Sequence, residues 1–109
     1  MESKIQKMIE LNLPLQCRYV VHIDRLNSGM IRIGSGFMRL CKAGTPDLYA
    51  ILDYDGGHFL FIEVKSPKGR QTFEQKRFEY MVKDLDHIHY ILARSTRDVV
   101  KYIEKKIFK

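Results

Sequence analysis

Asp47, Glu63 and Lys65 are the residues whose types and spacing could do chemistry. Glu63 and Lys65 stand two apart in Phe61-Ile62-Glu63-Val64-Lys65, so on a strand both side chains project from one face. Asp47 follows Gly44-Thr45-Pro46 at the head of another apolar run. A hairpin centred on Gly56-Gly57 would bring Asp47 opposite Ser66, within a bulge of Glu63 and Lys65. Two carboxylates held that close repel each other unless a cation lies between them. Their oxygens suit Mg²⁺ or Mn²⁺ rather than Zn²⁺. A divalent cation beside a lysine is an apparatus for attack on a phosphodiester, because both stabilise the extra negative charge of the transition state. Taken singly, each signal has a plain structural reading. Glu-x-Lys is often a same-face ion pair worth about 0.2–1 kcal/mol, and Pro-Asp is often a turn. Their convergence on neighbouring strands is what favours a site.

The elements that must position them follow from periodicity. Residues 2–12 read as a helix with Ile5, Met8 and Ile9 on one face, stopped by Pro14. Residues 17–25 read as a strand with Tyr19, Val21 and Ile23 on one side. Asn27-Ser28-Gly29 is a turn signal, and residues 30–40 are either two short extended pieces or one mobile loop. Residues 47–54 and 58–65 read as strands joined at Asp55-Gly56-Gly57, both apolar enough to be central in a sheet. Thr72-Phe73-Glu74-Gln75 is a capping box opening a helix, with Phe78, Met81, Val82 and Leu85 as its apolar stripe. Residues 88–93 form a strand. Ser95 or Thr96 then caps a last helix with Val99, Val100 and Ile103 inward. The order is helix, three strands, helix, strand, helix, and residues 58–93 fit a strand–helix–strand crossover.

At 109 residues the chain reads as a single domain, with room for one core and not for a deep enclosed cleft. An active site would be shallow or completed by a second copy. The 45% hydrophobic and 29% charged residues are ordinary for a globular domain and argue against bulk disorder. No apolar run approaches the ~20 residues of a membrane helix, and the start of the chain lacks a signal-peptide layout. Cys17 and Cys41 form no CxxC pair, which fits a reducing cytoplasm.

The net charge of +6 suggests a polyanionic partner, and its layout is more telling. Residues 47–63 carry Asp47, Asp53, Asp55 and Glu63 with no base, a block of −4 between blocks of +4 at 11–46 and 64–77. Lys68, Arg70, Lys76 and Arg77, just beyond Lys65, would hold phosphates flanking a scissile bond. Arg25, Arg32, Arg39 and Lys42 surround a glycine-rich segment that could touch nucleic acid or be a solvated surface. His22, His58, His87 and His89 have no zinc-ligand spacing with the cysteines, and His87-x-His89 favours a plain structural reading. Tyr19, Tyr49, Tyr80 and Tyr90 read as packing at the core edge, and Met30 and Met38 as candidates for a subunit contact.

The run Gly44-Thr45-Pro46-Asp47-Leu48, then Phe61-Ile62-Glu63-Val64-Lys65-Ser66-Pro67-Lys68-Gly69-Arg70, then Gln75, resembles the virus-type replication-repair nuclease family (VRR-NUC) of the PD-(D/E)xK superfamily. Glu2, Arg25-Leu26-Asn27-Ser28-Gly29 and Ala93-Arg94-Ser95 resemble further family features, so the likeness spans residues 1–109. It implies an α/β restriction-endonuclease-like core, a mixed central β-sheet flanked by helices in αβββαβα order. It also implies Mg²⁺- or Mn²⁺-dependent hydrolysis of DNA. By the same implication Asp47, Glu63 and the carbonyl of Val64 bind metal, Lys65 orients or activates the attacking water, and Gln75 supports the site. Glu2 would add an acidic group near the metal, with Glu10 as its competitor on the same helix. Members of this size resemble homodimers that cut branched DNA, four-way junctions included, in the cytoplasm of a bacterial host if the source is viral. The rival readings are a nucleic-acid-binding subunit with an unused site, and a nuclease of the same fold serving restriction or RNA cleavage.

Overall fold

The structure, a computed structural model, describes residues 1–26, 30–39 and 42–109, with 30–33 and 37–39 described by backbone alone. The turn expected at Asn27-Ser28-Gly29, Cys41, and the roles expected of Met30, Arg32, Met38 and Arg39 lie outside what is described. The chain runs α1 (Glu2–Gln16), β1 (Val20–Arg25), β2 (Met30–Ile33), β3 (Gly36–Arg39), β4 (Leu48–Leu52), β5 (His58–Val64), α2 (Phe73–Val82), β6 (Ile88–Ala93) and α3 (Thr96–Tyr102), which continues as a π-helical turn, Ile103–Ile107. β2 and β3 form a separate antiparallel ribbon, so the ambiguous segment is two extended pieces. The main sheet has the order β1-β4-β5-β6, antiparallel except for the parallel pair β5–β6, whose crossover is α2. It is a mixed α/β fold with β4 and β5 central.

Strand alternation divides the sheet into two unlike faces. Leu48, Ala50, Leu52, Leu60, Ile62, Val64 and Ala93 are buried on one side, where Ile9 and Leu13 of α1 and Val99 and Ile103 at the α3 end complete the core. The other face carries Tyr49, Ile51, Phe59 and Phe61, and α2 covers it incompletely. Phe78 meets Phe61 edge to face at a centroid distance of 4.9 Å, and Tyr49 stacks on Phe59 at 5.3 Å.

Four local expectations are corrected. Pro14 does not stop α1, which runs on to Gln16. Ile9, Leu13 and Cys17 continue one buried stripe across it, and the Cys17 N–H still donates to the Leu13 carbonyl at 2.9 Å. That burial offsets the one helical bond the proline removes. Met8 lies off this stripe and is half exposed. In β1, Val21 is exposed rather than inward, because a bulge between Val20 and His22 resets the alternation. Tyr80 is exposed, not packed at the core edge.

The largest correction concerns α2. Its capping box is present, with Thr72 accepting from the Gln75 N–H and the Gln75 side chain accepting from the Thr72 N–H. The inner contacts, however, come from half-buried Phe78 and Val82. Met81 and Leu85 are 64% and 50% exposed, and the helix buries no residue fully. A stripe at helical spacing says that a helix has an apolar side. It does not say that the sheet covers all of it.

Candidate metal-binding carboxylate site

The β4–β5 turn decides which residues face each other. A turn centred on Gly56-Gly57 predicts Asp47 opposite Ser66. The observed pairs run from Leu52 opposite His58 to Leu48 opposite Ile62, and one step further brings Asp47 opposite Glu63. The turn takes in residues 53–57 and centres on Asp55 because Asp53 donates its N–H to the Tyr19 carbonyl instead of to β5. Asp55, Gly56 and Gly57 all adopt positive φ (47°, 83° and 101°), which the two glycines permit without strain. The shift tightens the predicted convergence.

Asp47 is held from both sides. Its carbonyl accepts from the Leu26 N–H at 2.8 Å, and its carboxylate accepts from the Val64 N–H at 2.8 Å. Glu63 is 2% exposed, and its Oε2 accepts from the Gln75 side-chain amide at 3.0 Å. Gln75 therefore closes the capping box with its oxygen and orients Glu63 with its nitrogen. The other oxygen, Glu63 Oε1, is buried with no hydrogen-bond partner among the described residues. Lys65 follows on the same face, 8% exposed.

Glu2 arrives from α1, where its carboxylate accepts weakly from the Ser66 N–H at 3.4 Å. Its competitor Glu10 is committed elsewhere, paired with the Arg25 guanidinium through contacts of 2.9–3.0 Å. Arg25 is thus partnered by an acid of its own chain. Lys68, Arg70, Lys76 and Arg77 are exposed and form no ion pair among the described residues. Arg94, absent from the candidate site set, donates to the Gly69 carbonyl at 2.9 Å and ties down the Ser66–Gly69 turn that carries Lys68.

Burial, first, and then the hydrogen bond and charge of Asp47 push the Glu63 carboxyl up to about 9, with Glu2 adding to the rise and Lys65 opposing it. Without a cation, the pair therefore holds a proton at neutral pH. A buried carboxylate oxygen lacking a donor, beside a second carboxylate, is what an oxygen-liganded divalent cation would satisfy, and the set fits Mg²⁺ or Mn²⁺. A pH dependence follows. Since the folded form of Glu63 binds its proton more tightly than the unfolded one, the stabilisation is complete below about pH 4.5 and is lost as pH rises toward 9. In chelator, urea unfolding between pH 5 and 9 should show stability falling steadily as the pH rises. Saturating Mg²⁺ should flatten that slope, because the cation takes the proton's place.

A second cluster lies at the other end of β5. Stacked His58 and His87 rings stand 4.1 Å apart, and His58 Nδ1 is 2.8 Å from His89 Nε2. Burial, first, lowers both His58 and His89 below the usual imidazole range. Spacing along the chain could not reveal this cluster, since only the parallel register that sets Phe59 against Ile88 brings residue 58 beside residue 87.

Comparison with protein-family models, with characterised proteins and with solved structures finds no match for the chain. Among the described residues no helix is long and apolar enough to cross a membrane.

Proposed function

We propose that the chain is a divalent-metal-dependent endonuclease that hydrolyses phosphodiester bonds in structured or branched DNA, with a PD-(D/E)xK core of the VRR-NUC kind. The observation that carries the reading is the abutment of Asp47 and Glu63 at the ends of two central strands, with Glu63 Oε1 buried and, once ionised, without a donor among the described residues. Asp47, Glu63 and the Val64 carbonyl would hold Mg²⁺ or Mn²⁺, with Glu2 adding negative charge nearby. The cation would supply polarisation of a phosphoryl oxygen and a lowered pKa for an attacking water. Gln75 keeps Glu63 oriented by its 3.0 Å hydrogen bond. Lys65 presents its ammonium on the same face, where it orients the water and stabilises charge developing on the phosphoryl group. Exposed Lys68, Arg70, Lys76 and Arg77 would engage flanking phosphates without first breaking ion pairs.

A second copy of the chain is part of the proposal. α2 turns Phe73, Tyr80 and Met81 outward, and Leu85 of the turn that follows is exposed as well, an apolar surface beside the site. Two sites related by a twofold axis suit paired cuts across a symmetric junction.

The deciding assay incubates purified protein with linear duplex, single-stranded, flap and four-way-junction DNA in Mg²⁺, in Mn²⁺ and in chelator. Cleavage of branched substrates should require the metal, and the active species should sediment as a dimer. Lys65→Ala should abolish turnover while DNA binding changes less than tenfold. Cleavage that persists in chelator, or equal loss of binding and turnover in Lys65→Ala, would count against this mechanism. Binding without cleavage of any substrate would favour a DNA-binding subunit.

A further inference from the structure

His58 opens β5 at the end opposite Glu63. Five residue steps along the strand separate the two, about 17 Å at the usual strand rise. At this far end, Asp55 of the β4–β5 turn, His58 and His87 of the turn before β6 each offer a ligating atom within 4.8 Å of the others. His58 is only 9% exposed, and its Nε2 is buried with no partner among the described residues. A buried ring nitrogen left unpaired is costly unless something binds it.

The second nitrogens of these rings have partners of their own. His87 Nδ1 lies 2.7 Å from the Gly57 carbonyl, which can only accept, so the proton sits on Nδ1 and Nε2 keeps a bare lone pair. His58 Nδ1 faces His89 Nε2, and His89 Nδ1 is 3.2 Å from the Tyr102 hydroxyl. When the Tyr102 hydroxyl accepts from His89, His89 Nε2 accepts in turn from His58 Nδ1–H, and that tautomer leaves the His58 Nε2 lone pair free. Ligating histidines commonly have their second nitrogen held in this way by a carbonyl or another polar group. The cluster forms one wall of a groove of about 650 Å³, with Glu79, Asp84 and Asp86 also lining it.

We propose that Asp55, His58 and His87 form a second cation site, separate from the carboxylate pair and suited to Zn²⁺. Two imidazoles and one carboxylate are a donor set that Zn²⁺ takes and Mg²⁺ does not favour. Three protein ligands leave the fourth position open to the groove. Binding would clip the β4–β5 turn to the turn between α2 and β6. The His58 and His87 rings lie nearly parallel, 6° apart, so their in-plane lone pairs cannot both reach one ion as they stand. Exposed His87 must turn its ring on loading, giving up both the stacking on His58 and its present Nδ1 contact with the Gly57 carbonyl.

The test uses the full chain carrying Asp47→Asn, so that the carboxylate pair does not contribute. Calorimetric titration with Zn²⁺ alone should give one equivalent bound, and Mg²⁺ should give none. Co²⁺ should produce the visible absorption of a four-coordinate ion. His87→Asn is the informative variant, because His87 is exposed at φ 64° and asparagine tolerates that backbone region. It should weaken Zn²⁺ binding at least tenfold and abolish the rise in melting temperature that Zn²⁺ causes. Absence of Zn²⁺ binding in the Asp47→Asn chain, or unchanged affinity in a folded His87→Asn, would overturn the site. Neither result depends on whether the chain cleaves DNA.

Discussion

Asp47→Asn is expected to lower metal-dependent DNA cleavage by about 10²–10³-fold or more, with a melting temperature in chelator that is unchanged or higher. The activity loss follows from removing one of two anionic metal ligands where the transition state most needs charge balance. The stability expectation is the sharper part. Asparagine keeps an oxygen to accept the Val64 N–H, so the bond that joins the two strand ends survives. It also removes the charge that repels Glu63, one of the causes holding that carboxyl up near 9. A residue kept for folding would cost stability when changed. A residue kept for function, held against electrostatic repulsion, costs activity and leaves stability intact or improved. The check pairs a cleavage rate on junction DNA with thermal unfolding of the same sample. A fall in melting temperature of several degrees with cleavage retained would reverse the assignment.

Gly44→Ala is expected to cost about 2–4 kcal/mol, from roughly 1–2 for a left-handed backbone and the rest for overpacking. Gly44 sits at φ 88°, and a Cβ there would collide with the Glu74 carbonyl group, against backbone that cannot step aside. In a domain of this size the fall in Tm should be roughly 8–32 °C, at ~4–8 °C per kcal/mol. Gly34 is the control. It has φ 59°, but an added Cβ meets nothing within 4 Å among the described residues, so Gly34→Ala should show the backbone cost alone. The contact at Gly44 matters for function as well as folding. It presses the loop that delivers Asp47 onto the first turn of α2, where Gln75 holds Glu63. Gly44→Ala should therefore loosen both acids, and residual cleavage measured well below its Tm should fall. Equal melting of the Gly44 and Gly34 variants would show that the loop gives way more easily than its backbone contact implies.

Much of the candidate site was legible because it is local. Glu63 and Lys65 share a face by strand alternation alone, and the capping box that places Gln75 is complete within four residues. The orientation of α2 was not legible. An apolar stripe is a property of one helix, whereas its burial depends on how much of the sheet face Phe78 and Val82 can reach. Nor was the division of labour between Glu2 and Glu10. Both lie on α1, and only the placement of β1 gives Glu10 to Arg25 and leaves Glu2 beside Ser66.

By itself the sequence determined that Asp47, Glu63 and Lys65 stand at strand ends, which elements carry them, and that the two acids would meet at central strands. Periodicity, turn residues and caps act within a few residues, and those properties need nothing more. The tertiary structure alone decided the three-residue shift that sets Asp47 against Glu63, the burial that keeps a proton on Glu63, and the meeting of His58 with His87. Register, desolvation and cross-strand contact arise between segments far apart in the chain, and no local pattern encodes them.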